Sequence, residues 1–395
     1  GVGVGLGFAL SFLSNSVGAS IQGSNLRNSG SVQVKAKESG VLGTLAVGGA
    51  YGKKSGALAG SLAVNSTSNV TTAHITGSTV DVGTNIEVSA NDEITSVALA
   101  GGLGLSSEGG AVGAAIGVNL IENDTFAYIS GGKIDADGRL DVTATADESL
   151  VSVTIGGAAG KKAGIGFALS VNEIDNDVKA EVRNGADVDI QGDVAVAATD
   201  STSMIVVAGG IGLSSKVGVG ASLSTTDVNN TIYAGVDGAS IDSIAGSVDI
   251  SAGFAPPSVA KDSTALVKGL SGADLNNSED DIPSDSQIIN VTVAGAGSKD
   301  FALGAAVSLN WLQNDVQAYV RNDSTVTAEG NVQVRAVDNP ELISVAVGLA
   351  LGKNAGGAAV AYNYLGGDPT ASNGASYDAT SGAPGQVLAY IDNST

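Results

Sequence analysis

Apolar residues fall at alternate positions along short stretches of the chain, and the same stretches return at a fixed interval. The motif Asn-x-x-x-Ala-x-Ile/Val stands at Asn15/Ala19/Ile21, Asn69/Ala73/Ile75, Asn123/Ala127/Ile129, Asn176/Ala180/Val182, Asn230/Ala234/Val236 and Asn314/Ala318/Val320. Its alanines step by 54, 54, 53, 54 and 84 residues, so one unit carries an insertion of 30. A seventh copy, Val387–Ile391, has Gly385 in place of the Asn and lies 71 residues further on. Period two is the mark of a strand with one buried face. The position between Ala and Ile/Val holds Ser20, His74, Tyr128, Glu181, Gly235, Tyr319 or Tyr390, the tolerance expected of an outward face.

Each unit contains three further stretches. A short strand follows the Asn motif (Val80/Val82, Ile134/Ala136, Val188/Ile190, Val326/Ala328). Next comes the clearest strand, with inward sets Val32/Val34/Ala36, Ile86/Val88/Ala90, Leu140/Val142/Ala144, Val194/Val196/Ala198, Val248/Ile250/Ala252 and Val332/Val334/Ala336. Gly30, Gly138, Gly192, Gly246 and Gly330 sit two residues before it, where a turn through positive φ is expected. The last stretch is Gly, Ala, Val and Leu on both sides of a short polar tip such as Lys53-Lys54 or Ser106–Glu108, and it predicts a hairpin buried on both faces. No long run of good helix formers exists.

A fixed period of this size predicts stacked units that bury their apolar faces against their neighbours. The expected fold is all-β: an elongated, parallel β-helix-like solenoid mixed with hairpins. Its repeats span 1–54, 55–108, 109–162, 163–216, 217–300, 301–354 and a partial 355–395. The fifth contains the insertion, at about 255–287, expected as a projecting loop or subdomain, and the seventh a second one at about 365–385. The chain begins with Gly, which suggests a processed product or a segment of something longer, and its last unit stops before its later strands. Gly1–Leu13 lacks the basic region of a signal peptide, and no uninterrupted apolar run reaches the roughly 18 residues of a membrane-spanning helix.

Composition narrows the function. With 40 acidic and 18 basic residues the formal charge is −22, which argues against nucleic acid as a partner. The chain has no cysteine, so disulfides and thiolate metal sites are excluded. His74 is its one histidine, lies on the outward face, and has no positioned partner that would make it a general base. No acidic position recurs in a way that sets two carboxylates apart, so no enzymatic activity and no required cofactor are expected.

Three groups are candidate sites. The recurring Asn15, Asn69, Asn123, Asn176, Asn230 and Asn314 suit a stacked amide ladder or a corner. Asp124, Asp177 and Asp315 follow three of them, which also admits calcium at that corner. In the insertion, Asp274, Asn276, Ser278, Asp280 and Asp285 have the spacing of a calcium loop, although Glu279 replaces the glycine such a loop needs at its sharp turn. Lys53, Lys54, Lys161, Lys162, Lys216, Lys299 and Lys353, seven of thirteen lysines, occupy the tips and form a candidate contact edge.

The units at 113–129 and 138–144 resemble repeats of very large bacterial surface proteins, the filamentous haemagglutinin-like and leukotoxin-like adhesins. The resemblance implies an exported, extracellular or cell-surface segment with a structural and adhesive role. Its expected partners are copies of itself, or the rest of a longer chain, with glycans or a neighbouring cell surface as further partners. A carbohydrate-binding or carbohydrate-active β-helix is the alternative, with Tyr128, Tyr319 and Tyr390 as its only platform. An outer-membrane barrel fits poorly, because one Trp and eight Tyr cannot furnish two aromatic girdles.

Overall fold

The computed structural model describes residues 1–254, 288–366 and 385–395. These residues form twenty-two strands and no helix, arranged as seven coils that each contribute to sheet A and, in the first six, to sheet B. Coil one is β1 (Val2–Leu13), β2 (Ser16–Gln22) and β3 (Asn25–Asn28) in sheet A, then β4 (Val32–Gly52) in sheet B. Coil two is β5 (Gly56–Val82) and β6 (Ile86–Ser106), and coil three is β7 (Gly110–Ala136) and β8 (Leu140–Gly160). Coil four has β9 (Ala163–Arg183) and β10 (Asp187–Ile190) facing β11 (Val194–Asp200) and β12 (Ser203–Ser214). Coil five has β13 (Val217–Asp237) and β14 (Ser240–Ser243) facing β15 (Val248–Phe254) and β16 (Ile288–Gly297). Coil six has β17 (Phe301–Arg321) and β18 (Thr325–Ala328) facing β19 (Val332–Asp338) and β20 (Leu342–Leu351), and β21 (Asn354–Leu365) and β22 (Val387–Ile391) add a seventh layer to sheet A.

Every strand pairs in parallel with its equivalent in the next coil. Ala73 lies on Ala127 and Ala127 on Ala180, while Val88 lies on Val142 and Val142 on Val196. Small departures from the period have local causes. The tip between β8 and β9 holds only Lys161 and Lys162, which shortens the step to 53, and the turn Asn184–Ala186 restores it to 54 before β10. The insertion falls between β15 and β16, and from β16 the register resumes at a step of 84.

The hairpin expectation is overturned. β4 and β5 flank the Lys53-Lys54 tip but lie in different sheets: β4 bonds β6, and β5 bonds β1 and β7. The tip is an arc between two sheets, and no antiparallel pair occurs among the described residues.

The coil interior changes character along its length. At one end the short strands β3, β10, β14 and β18, with the equivalent ends of β5 and β7, close a wide apolar core. It gathers Ile75, Val80, Val82, Ile86, Val88 and their equivalents in the neighbouring coils. A column of left-handed residues makes the corner beside it: Gly23 (φ 54°), Gly77 (56°), Gly131 (62°), Asn184 (58°), Gly238 (59°), Asn322 (62°) and Asn393 (46°). The glycines expected there, Gly138, Gly192 and Gly246, have a different cause. A Cβ on Gly192 would stand 2.8 Å from the Gly138 carbonyl oxygen, so the stacked coil below excludes a side chain.

Toward the tips the two sheets converge until only glycine, alanine and serine fit between them. A Cβ on Gly156 would stand 1.8 Å from the Phe167 oxygen, and one on Gly210 1.9 Å from the Ala221 oxygen. The outer faces of this thin half are not covered, contrary to the expectation of strands buried on both sides. Leu103 (51% exposed) and Ile211 (43%) project from sheet B, and Leu58 (46%) and Leu303 (40%) from sheet A.

Candidate functional site

Between the wide core and the thin half runs a buried polar column. Asn15, Asn69, Asn123, Asn176, Asn230 and Asn314 stack directly, residue on residue, along sheet A. The main-chain N–H of Asn15 donates to Asn69 Oδ1 (3.0 Å), that of Asn69 to Asn123 Oδ1 (3.2 Å), and Asn230 Nδ2 donates to Asn314 Oδ1 (3.2 Å). None of the six has positive φ, so they are not the corner; they stack along the solenoid axis, with hydrogen bonds linking three of the five neighbouring pairs.

Facing them on sheet B is a column of carboxyls: Glu38, Asp92, Glu148, Asp200 and Asp338. Asn15 Nδ2 donates to Glu38 (2.7 Å), Asn123 Nδ2 to Glu148 (3.3 Å), and Asn314 Nδ2 to Asp338 (2.8 Å). Asn176 Nδ2 reaches both Glu148 Oε2 and Asp200 Oδ2 at 3.0 Å. Asp92, Glu148 and Asp200 are fully buried. The expectation that no acidic position recurs is therefore wrong. Glu38, Asp92, Asp200 and Asp338 each stand two residues after the inward Ala36, Ala90, Ala198 and Ala336. Coil three moves its acid to Glu148, and coil five has Phe254 at this place. Extending the period-two reading by one inward position finds them.

Burial without a cation raises Asp92, Glu148, Asp200 and Asp338. Asp92 is pushed up to about 6, mainly by burial, with the hydroxyl of Thr71 opposing and Glu38 adding to the rise. Burial also raises Asp200, and it raises Glu148 well above the usual range, helped by the neighbouring charges of Asp200 and Asp92. In this column Asn69 Nδ2, Asp92 Oδ1, Asn176 Oδ1 and Asn230 Oδ1 have no partner.

A second polar row lies nearer the tips. Asn119 Nδ2 donates to Asn172 Oδ1 (2.8 Å), Asn290 Nδ2 to Asn310 Oδ1 (2.6 Å), and Asn310 Nδ2 to Asn363 Oδ1 (2.9 Å). Ile121, Leu150, Ile174 and Met204 seal the space between the two rows.

The proposed Asn-Asp calcium corner does not converge. Alternation along the strand puts Asn123 and Asn176 inside, while Asp124 and Asp177 point outward, where Asp177 meets Lys179 at 2.5 Å. Among the described residues no group of three or more His, Cys, Asp or Glu side chains is gathered closely enough to hold a metal ion. Asp274, Asn276, Ser278, Asp280 and Asp285 lie outside the described residues.

His74 lies flat on Tyr128, with ring centroids 4.8 Å apart and planes 6° apart, and accepts from Gln22 Nε2 at 2.7 Å. Burial and then the charge of Arg183 lower its pKa, which keeps it neutral. Tyr319 occupies an outward position yet is fully buried. Its ring covers Gly235, where a Cβ would stand 2.1 Å from it, and its hydroxyl donates to Glu181 at 2.5 Å. The lysine tips stack along one exposed edge: Ser107 Oγ donates to the Lys53 carbonyl (2.9 Å), Lys162 N–H to Gly109 (3.0 Å), and Lys353 N–H to Lys299 (3.3 Å).

Comparison with known proteins gives no match to a family model, a curated protein or a solved structure. Among the described residues no helix is long and apolar enough to cross a membrane.

Proposed function

We propose that the chain is a non-catalytic structural segment of an extracellular bacterial surface filament or giant adhesin, secreted and displayed at the cell surface. The observation that supports this best is the unbroken axial register. Main-chain hydrogen bonds, the Asn ladder and the apolar core all repeat coil on coil, so tension along the axis is shared by many parallel bonds. The residues that recur most regularly serve this stacking, and the sequence resemblance to adhesin repeats points the same way.

The first experiment is electron microscopy of native material with and without a calcium chelator, together with antibody labelling of intact and permeabilised cells. Surface-labelled fibres with a regular axial repeat are the expected result. Fibres lost on chelation would assign calcium to the insertion around Asp274–Asp285. Labelling only after permeabilisation would refute the surface role.

A carbohydrate-binding role is the second reading, supported by the axial row His74, Tyr128, Tyr319 and Tyr390, whose last pair lies 5.8 Å apart. The buried ring of Tyr319 closes the middle of that row, which leaves His74/Tyr128 and Tyr390 as separate short patches. Titration of acidic and neutral oligosaccharides against the wild type and Tyr128→Ala tests it, and heat release in the wild type alone would favour it.

A further inference from the structure

The outer face of the thin half of sheet A is apolar from the tips inward for about ten residues in each coil. Leu58, Val112, Ile165, Phe167, Leu303 and Val307 are among its members, each pointing away from the partner sheet. At about 3.3 Å per residue and 4.8 Å per coil, six coils make a patch of about 30 by 30 Å, on the order of 900 Å². That exceeds the apolar patches typical of a solitary protein and equals the area one partner contributes to a stable dimer, about 800 Å².

Where the patch ends in coils three to five, acids begin abruptly. On the same face Glu122 stacks on Asp175, Asp124 on Asp177, and Glu173 on Asp227. Like charges set directly opposite one another across neighbouring strands are destabilising, and within this band Lys179 at Asp177 is the one cation. Burial, and then mutual repulsion, raise Asp124, Asp175 and Asp227. Leu120, Glu122, Glu173 and Asp175 line an open cleft of about 220 Å³ at this border. The opposite border is the tip edge, where seven lysines accompany only Glu108 and Asp300. Phe167 lies five residues from Lys162 and six from Glu173, so bases and acids are nearly equidistant from the middle of the patch.

We propose that this face binds a second copy of the chain about a two-fold axis parallel to the solenoid axis and passing over the row of Phe167. Such a rotation sets sheet A on sheet A, reverses the strand direction and keeps coil opposite coil. Lys161, Lys162 and Lys216 at the tips of each copy then lie on the acids of coils four and five of the other, and each contact occurs twice. A bilayer would also cover apolar residues, but it supplies no base to the stacked carboxylates. The inference goes beyond the surface-filament reading and does not depend on it.

The test uses the full chain and two charge-reversed variants, with circular dichroism to establish that each keeps the wild-type β signal. One carries Lys161→Glu and Lys162→Glu at the tip, and the other Glu122→Lys and Glu173→Lys in the band. All four positions are exposed. Sedimentation equilibrium is expected to give a wild-type dimer and at least tenfold weaker association for either variant alone. A one-to-one mixture should recover the wild-type affinity, because both contacts in the mixed dimer pair opposite charges. A wild-type monomer at all concentrations, or a mixture no tighter than its components, would overturn the proposal. So would flotation of the monomer with phosphatidylcholine/phosphatidylglycerol vesicles in place of dimerisation.

Discussion

At the residue scale, the informative feature is a buried carboxylate column that answers an amide column. Asn123 and Asn314 accept along the axis through the side-chain oxygen and donate across the interior through the amide nitrogen, so one residue type can serve two directions at once. The acids have no such symmetry, since no cation neutralises Glu148, Asp200 or Asp92. Glu148→Gln keeps an acceptor for Asn123 or Asn176 and gains a donor for Asp200. It is expected to raise stability at pH 7 by on the order of 1–3 kcal/mol, with the gain disappearing near pH 5, where the wild-type acids are protonated. Denaturant unfolding at the two pH values measures this, and a loss of stability at pH 7 would show that the charge itself is needed. Asn176→Ala should act oppositely, at a cost of about 3 kcal/mol, because two buried carboxyls lose their shared donor.

At the element scale, the strand is the unit on which the taper is written. Inward positions near the corner carry Val, Ile and Leu, and those near the tips carry Gly, Ala and Ser, so the same two sheets are held apart at one end and touch at the other. Gly210→Ala places a methyl group against the Ala221 carbonyl and must prise the sheets apart locally. A loss of about 2 kcal/mol or more is expected, with the largest rise in amide exchange in β12 and β13. The inward face at the Asn-motif strand is equally strict. Ala180→Leu, at a fully buried site, should cost about 1–3 kcal/mol by overpacking, whereas Tyr128→Leu on the outward face of β7 should change stability by less than about 1 kcal/mol. Equal losses would mean that the faces are assigned the wrong way round.

At the scale of the whole molecule, charge and burial combine into a pH response. Asp92, Glu148 and Asp200 have folded pKa values above their unfolded ones. The stability they contribute is therefore fully present below the unfolded carboxylate range, near 4, and is lost as pH rises through about 6. The net charge of −22 acts in the same sense, since protonation relieves self-repulsion. Thermal unfolding followed from pH 8 to pH 5 should show a rising Tm, the reverse of ordinary acid denaturation. A falling Tm would mean that other carboxylates, stabilised by exposed pairs such as Lys35–Glu87 or Lys37–Glu93, outweigh the column.

What the sequence determined by itself was the repeat, its period and the inward sets, because side-chain alternation and spacing are local properties that any stacked β unit must carry. The Asn residues could be picked out, but not the carboxyls they bond. Asn176 and Asp200 are 24 residues apart and meet only when sheet B folds across sheet A. The hairpin was misread for a related reason. Alternating small residues on both sides of a polar tip suit an antiparallel hairpin and an arc between two sheets equally well. The two differ only in where the backbone hydrogen bonds go, to the strand just across the tip or to the coil 54 residues away. That choice was decided by the tertiary structure, where the repeated equivalent strands complete one another's ladders in register. It is also what leaves the apolar outer faces of the thin half open to a partner.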